Sequence, residues 1–453
     1  MKIDTHLTGL VAAAITLTLT LIMIRMALAA FPHFRSREIK TGAHKQGVEI
    51  RPQGKLPLIA GPVLALTLLA GVVGTAVLHQ GTAPWLPMAL ATGFFAFGLI
   101  DDIAKVRRGR GVREGPYFTV ITILSIGAVA LLIGSGTHTK ATGSVYALST
   151  YVGPSAHVLL SAWYLALIIG TSLAASFSDG MDGLTAGSTT ILMLGITFVA
   201  GASTGAWATI VAAGAGGVLV SNWPSRWSPT MRTKPRYARA YLGDSGALIL
   251  GASMATAAIV AGFDLLWPLI AGPLLLEGFA SLVQSKLIVP TYRRIKAPLT
   301  DDGSPLPHQQ FPLPLLASPL HYHWELLGLD RLQITLLFWS TTALATVTGI
   351  LATFMENSTT TVILLTISGL VGLAFWITAM WLRPAFLLMS GDSLALMHGR
   401  PLSVGPIRLF KQIELIHDTN VQEAAVRDGM IERTTNAHAL NEWIERVRQT
   451  ACS

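Results

Sequence analysis

The chain has 453 residues, of which 51% are hydrophobic and only 12% charged, with a mean hydropathy of +0.55. A soluble domain carries roughly 25% charged residues, so the composition excludes an ordinary soluble enzyme and predicts an integral membrane protein. The single cysteine, Cys452, excludes a disulfide framework and a cysteine-based metal site. The net charge of +8 lies between apolar segments and no nucleic-acid motif accompanies it, so it reads as membrane topology.

Leu7 to Ala30 is an apolar run long enough to span a bilayer, which takes roughly 20 residues. It ends in Ala27-Leu-Ala-Ala30, which imitates a signal-peptidase site. Yet the run is long for a signal, and its positive charge (Arg35, Arg37, Lys40, Lys45, Arg51, Lys55) follows rather than precedes it. A retained first span with its N-terminus outside is expected.

Further spans are predicted at about Pro57 to Leu78, Pro84 to Ile103, Tyr117 to Ile133, Val158 to Phe177, Thr185 to Ala200, Ala206 to Ser221, Ala247 to Phe263, Leu265 to Val289, Leu332 to Met355 and Thr359 to Leu382. The expectation is an all-α polytopic protein of about 10–11 membrane helices occupying residues 1–382. Alternate connections are strongly basic: Lys105, Arg107, Arg108, Arg110 and Arg113 in one, Arg226 to Arg239 in another, Arg293, Arg294 and Lys296 in a third. By the positive-inside rule these face the cytosol. After Leu382 the composition becomes that of a soluble segment, and 383–453 is predicted to be a cytosolic tail with helices over about Arg408 to Arg427 and Ala437 to Gln449.

Four constellations fall on the predicted cytosolic side. Phe95 to Asp102 closes the third span with the pair Asp101 and Asp102, which either terminates the helix beside Lys105 and Arg107, or binds a metal or takes a proton from a nucleophile. Ser178-Asp-Gly-Met-Asp-Gly183 follows the fifth span. Asp179 and Asp182, three residues apart, would point the same way on one helical turn, and Gly180 and Gly183 allow a ligand close to the backbone. Tyr241 to Ala252 sets Asp244 at the mouth of a long apolar segment, where its carboxylate meets water on one side and reads as an ion ligand. Its Gly-Asp-Ser-Gly is not a serine-protease nucleophile segment, since nothing else of that pattern surrounds it, and Ser245 reads as a helix-start residue. Pro319 to Gly328 places His321 and His323 beside Glu325, suited to phosphate oxygens or proton transfer. Acids, histidines and cations on one membrane face suit phosphoryl transfer with Mg²⁺ and a phosphate or diphosphate substrate. A transporter would line the midplane instead.

In this order the four motifs resemble the polyprenyl-phosphate N-acetylhexosamine-1-phosphate transferases, most closely the muramoyl-pentapeptide branch of peptidoglycan synthesis. The resemblance runs from about Phe34 to Trp339. It implies a bacterial inner-membrane enzyme with its active site on the cytosolic face. Such an enzyme transfers a phospho-sugar from a UDP-sugar to undecaprenyl phosphate, with release of UMP. It further implies Asp244 as the Mg²⁺ ligand, Asp101 and Asp102 near the attacking lipid phosphate, and Asp179, Asp182 and Gly180 on the nucleotide. His321 and His323 fall on the sugar-phosphate side, with Ser176 and Lys55 as further substrate-binding positions. A homodimer is part of the same expectation. Leu173 and Ser176 stand where the family carries two asparagines, Tyr322 interrupts its triple histidine, and the loop Arg51 to Pro57 keeps its pattern loosely. Two alternatives stay open: a related transferase using another UDP-N-acetylhexosamine, and a non-catalytic paralogue that binds the lipid carrier.

Overall fold

Long apolar runs with no water to satisfy their backbone groups must fold as helices, and the chain does so almost from its first residues. The computed structural model describes residues 5–35, 57–78, 84–136, 156–226, 239–288, 318–326, 331–353, 369–370, 384–390, 393–404, 407–431 and 435–451. These fall into two compact units. The first holds Met1–Lys40, Pro52–Phe279 and Thr335–Ser368; the second holds Thr41–Arg51, Ala280–Ile334 and Gly369–Ser453.

The helices in chain order are α1 (Thr5–Ala30), α2 (Ala60–Leu78), α3 (Trp85–Arg108), α4 (Glu114–Gly134), α5 (Ala156–Ser178), α6 (Leu184–Val199), α7 (Ala202–Arg226) and α8 (Gly243–Val260). They are followed by α9 (Trp267–Ile270), α10 (Gly272–Leu282), a π-helical turn Val283–Ile288, α11 (Leu320–Leu326) and α12 (Arg331–Thr353). Among the described residues eight helices are long and apolar enough to cross a membrane, and α6, at 16 residues, is a shorter apolar one. The membrane part is therefore all-α and polytopic, as its hydropathy predicts.

The ninth expected span, Leu265 to Val289, is broken rather than continuous. Pro273 has no N–H to donate, and its ring would clash with the carbonyl of Leu269, so the helix stops at Ile270 and restarts at Gly272. The eleventh, Thr359 to Leu382, lies outside the described residues apart from 369–370.

Within the first unit α8 is the central helix. It packs against α2, α3 and α5, and all its residues from Gly243 to Ile259 are buried. Small residues make this possible, as expected where apolar lipid gives helices no hydrophobic reason to associate. A Cβ on Gly251 would stand 2.6 Å from Ser172 Cα, so α5 and α8 touch backbone to backbone. Around this centre α1 packs on α2 and α7, and α6 on α7.

In the second unit, strands β1 (Pro384–Ser390), β2 (Ser393–Val404), β3 (Ile407–Ile416) and β4 (Thr435–Asn436) form an antiparallel sheet in the order β3-β2-β1-β4. Helices α13 (Thr419–Arg427) and α14 (Ala437–Ala451) share a core with it through Leu387, Leu396, Ile416, Val421, Leu440 and Ile444. This corrects the expected helical tail. Helix forms only from Thr419, where Asp418 caps α13 by accepting from the Asn420 and Val421 N–H groups. The stretch Gln412-Ile-Glu-Leu415 alternates polar and apolar residues with a period of two, and pairing with β2 overrides any helical preference.

Candidate active site

The acids gather where the C-terminal end of α3 meets the N-terminal end of α8. Gly98 on α3 lets the helices approach, since a Cβ there would lie 2.5 Å from the Asp244 carbonyl oxygen. α3 then stops because Gly109 takes a left-handed conformation (φ 72°) and donates its N–H to the Lys105 carbonyl. The chain folds back, and the Val112 N–H donates to Asp101 Oδ1.

Lys105, one turn after Asp101, bridges the two helices. Its ammonium lies 2.6 Å from Asp101 Oδ2 and 2.9 Å from Asp244 Oδ2. All three side chains are largely buried, so the pairing is screened far less than a surface ion pair. The other Asp244 oxygen, Oδ1, accepts from Ser176 Oγ on α5 at 3.2 Å, and the Tyr117 hydroxyl of α4 stands 3.3 Å from that serine oxygen. Ser176 thus places a hydroxyl on Asp244, while Leu173 is buried in the apolar core.

Asp102 points elsewhere. Its Oδ1 accepts the Asp244 N–H at 3.0 Å, and its Oδ2 accepts the Ser245 N–H at 3.0 Å and the Ser245 hydroxyl at 2.6 Å. The carboxylate therefore satisfies N–H groups that the first turn of α8 cannot satisfy itself, at the end where the helix dipole favours negative charge.

A second cluster adjoins the first through residues 240–242. Asp179 and Asp182 sit in the turn between α5 and α6, with Gly183 left-handed at φ 82°, and they line a small, water-sized cleft with Asn222, Tyr241 and Leu242. They share that cleft through the turn rather than through a helical face. Gly180 is in the same turn. Asn222 closes the arrangement: its amide nitrogen donates to Asp182 Oδ1 (3.2 Å) and to the Ala240 carbonyl (2.8 Å), and its oxygen accepts the Ala240 N–H (3.0 Å).

The structure thus brings together Asp101, Asp102, Ser176 and Asp244, with Asp179, Gly180 and Asp182 beside them. Lys55 lies outside the described residues. His321 and His323 belong to the second unit, where both are fully buried on α11 and the rings of His321 and Tyr322 are 4.0 Å apart. Sequence reasoning assigned no site role to Lys105, Tyr117 or Asn222. Lys105 was counted with the topogenic cations, although its spacing of four residues from Asp101 is an ion-pair signal on a helix.

Among the described residues no group of three or more His, Cys, Asp or Glu side chains is placed to hold a metal ion. Asp101 and Asp244 nevertheless converge on one cation. Mg²⁺ is usually held by one or two carboxylates with water and substrate phosphates completing its shell. Asp244, at the helix start and part-exposed, is the carboxylate that fits such an ion.

Residues 85–262 match the family described as glycosyl transferase family 4. The chain is similar to the phospho-N-acetylmuramoyl-pentapeptide-transferase of Heliobacterium modesticaldum, 28% identical over 307 residues, which is 66% of this chain and 81% of the relative. The protein of that name from Desulforudis audaxviator is 26% identical over 309 residues (65% and 83%). The one from Chlamydia trachomatis is 26% identical over 318 residues (69% and 85%). Both acidic clusters and their connecting Asn222 lie inside the matched segment. The chain thus carries a segment matching glycosyl transferase family 4 among helices long and apolar enough to cross a membrane, and these similarities support a phospho-sugar transferase.

Proposed function

We propose that the protein transfers phospho-N-acetylmuramoyl-pentapeptide from its UDP-linked donor to undecaprenyl phosphate, on the cytosolic face of the bacterial inner membrane and with Mg²⁺. The observation that carries this is the convergence of Asp101 and Asp244 on Lys105, at a helix end inside the segment shared with the family. In the reaction an oxygen of the lipid phosphate forms a bond to the sugar-bearing phosphorus, and the P–O bond to UMP breaks. Asp101 takes the proton from the lipid phosphate where it carries one, and Lys105 balances charge on the phosphoryl oxygens. Asp244 would hold Mg²⁺, which when bound would supply charge neutralisation to the diphosphate.

On the resemblance, Asp179 and Asp182, with Gly180, face the nucleotide, and Asn222 fixes Asp182 by a hydrogen bond. Ser176 acts through its hydrogen bond to Asp244. On the resemblance alone, Lys55 contacts substrate, His321 and His323 serve the sugar-phosphate side, and the protein forms a homodimer. The cytosolic placement is supported by Arg107, Arg108, Arg110 and Arg113 at the same helix end as the acids. The N-terminus outside and a cytosolic tail belong to the same reading.

The test is UMP release by purified protein given undecaprenyl phosphate and the muramoyl-pentapeptide donor, with and without Mg²⁺. Metal-dependent release is expected, and Asp244→Asn should abolish it while the protein still inserts and folds. No release with this donor, but release with UDP-N-acetylglucosamine, would move the chain to another branch. Silence with every donor, alongside retained binding of undecaprenyl phosphate, would make it a non-catalytic carrier-binding protein.

A further inference from the structure

Asp101 and Asp102 are adjacent and look equivalent in sequence, yet their carboxylates have different partners. Asp101 shares the Lys105 ammonium with Asp244. Asp102 is fully buried and receives three donors from two consecutive residues of α8: the Asp244 N–H, the Ser245 N–H and the Ser245 hydroxyl. Gly243, at φ +64°, lays its backbone on the same carboxylate, where a Cβ would stand 2.5 Å from Asp102 Oδ2 and 2.8 Å from Oδ1. A group so enclosed leaves no approach for a phosphate or a metal ion.

We propose that Asp102 is a positioning residue: it seats the first turn of α8 and so fixes where the Asp244 carboxylate stands, while Asp101 is the member of the pair that meets the reacting groups. The physical basis is the count and kind of its bonds. A carboxylate accepting backbone N–H groups at a helix start makes charge-assisted bonds, about twice as strong as neutral ones. Each oxygen is engaged by a backbone N–H of the α8 start, and the Ser245 hydroxyl adds a third donor to Oδ2. Asp244 is itself one of the two residues whose N–H is held, so a shift at Asp102 moves the Asp244 backbone directly. The Ser245 hydroxyl, which reads from sequence as a local helix-start group, is turned across to Asp102 instead.

The inference rests on the proposed metal-dependent reading of the site, and its test separates the two. Mn²⁺ binding to the detergent-solubilised full chain is titrated by electron paramagnetic resonance. Amide hydrogen exchange over residues 243–246 is followed in wild type, Asp102→Asn, Ser245→Ala and the double variant. In Asp102→Asn the amide group cannot accept all three donors. Mn²⁺ affinity is expected to fall by about 10–100-fold, the range found when partners that orient a ligand are lost, and the 243–246 amides to exchange faster. Ser245→Ala, which removes one donor and folds more readily, should give a smaller loss in the same direction. The double variant should be no worse than Asp102→Asn, because both act through one contact.

Unchanged Mn²⁺ affinity and unchanged exchange in Asp102→Asn overturn the proposal, as do strictly additive losses in the double variant. If wild type binds no Mn²⁺, the metal-dependent reading fails by itself, and the coupled exchange of residues 243–246 still decides whether Asp102 seats the helix.

Discussion

Gly98→Ala tests whether the site depends on backbone contact between α3 and α8. The added methyl carbon would lie 2.5 Å from the Asp244 carbonyl oxygen, 2.6 Å from its carbon and 2.6 Å from Ser245 Cα. All three are backbone atoms, so no side chain can swing aside. Reaching an ordinary contact of about 3.5 Å requires the helices to part by on the order of 1 Å. Overpacking of this kind costs about 1–3 kcal/mol. The same displacement lengthens the three bonds from α8 to Asp102, now 2.6–3.0 Å, towards the limit at which they count as bonds.

Misplacing a reacting group by about 1 Å costs on the order of 100-fold in rate, so turnover should fall further than stability does. The assay pairs UMP release with the melting midpoint in detergent. Gly127→Ala, where a Cβ meets nothing within 4 Å, serves as the control and is expected to be neutral. Gly93→Ala, whose nearest neighbour is the flexible tip of Leu124 at 3.1 Å, should be tolerated. A Gly98→Ala protein with wild-type turnover and midpoint would refute the argument that this approach sets the site.

Removing the shared ammonium by Lys105→Met leaves the buried Asp101 and Asp244 carboxylates unbalanced, a change expected to cost about 3–5 kcal/mol. Under the proposed reading Mg²⁺ recovers much of it, so the melting midpoint should rise more steeply with Mg²⁺ than in wild type; equal slopes would contradict a site common to lysine and metal. Asn222→Ala breaks the bonds to Ala240 and Asp182 and should cost about 1–3 kcal/mol of stability, with the KM for the UDP-sugar rising more than kcat falls; an unchanged KM would detach the cleft from the donor. Tyr117→Phe removes one hydroxyl 3.3 Å from Ser176, a neutral hydrogen bond with a net contribution of about 1 kcal/mol, so activity should stay within about fivefold. A loss of more than about 100-fold would instead make the tyrosine part of the chemistry.

The membrane helices were legible because a bilayer leaves few options: length, hydropathy and the near absence of charge set α1 to α5 to within a few residues. The acids were legible for the complementary reason, since a carboxylate at the end of an apolar span costs too much to be incidental. What could not be read was who meets whom. Asp102 and Ser245 are 143 residues apart, as adjacent in space as they are remote in sequence. Their pairing follows from α3 and α8 touching through Gly98, which no local pattern announces. Lys105 looked like one more topogenic cation because its neighbours Arg107 and Arg108 are exposed, whereas it turns inward. In the second unit the alternation in β3 and the two residues Gly391 and Asp392 between paired Ser390 and Ser393 are hairpin signals. They were outweighed by the expectation that a charged tail is helical.

The charge at the α3–α8 junction accounts for why acids and cations are mixed there. Lys105, Arg107 and Arg108 occupy the last turn of α3, where the partial negative charge of the helix end favours cations. Asp102, one turn earlier on α3, answers the partial positive charge at the start of α8. Two successive turns of one helix therefore serve two helix ends of opposite sign. Asp101, Asp102 and Asp244 set three carboxyl groups against one ammonium on Lys105 and the partial charge of the α8 terminus, so the junction holds more acid than cation. A diphosphate approaching it alone would be repelled, whereas a diphosphate accompanied by a divalent cation would meet nearly balanced charge. Lys105 answers part of that imbalance: its ammonium lowers the cost of holding the Asp101 and Asp244 carboxylates buried at one point.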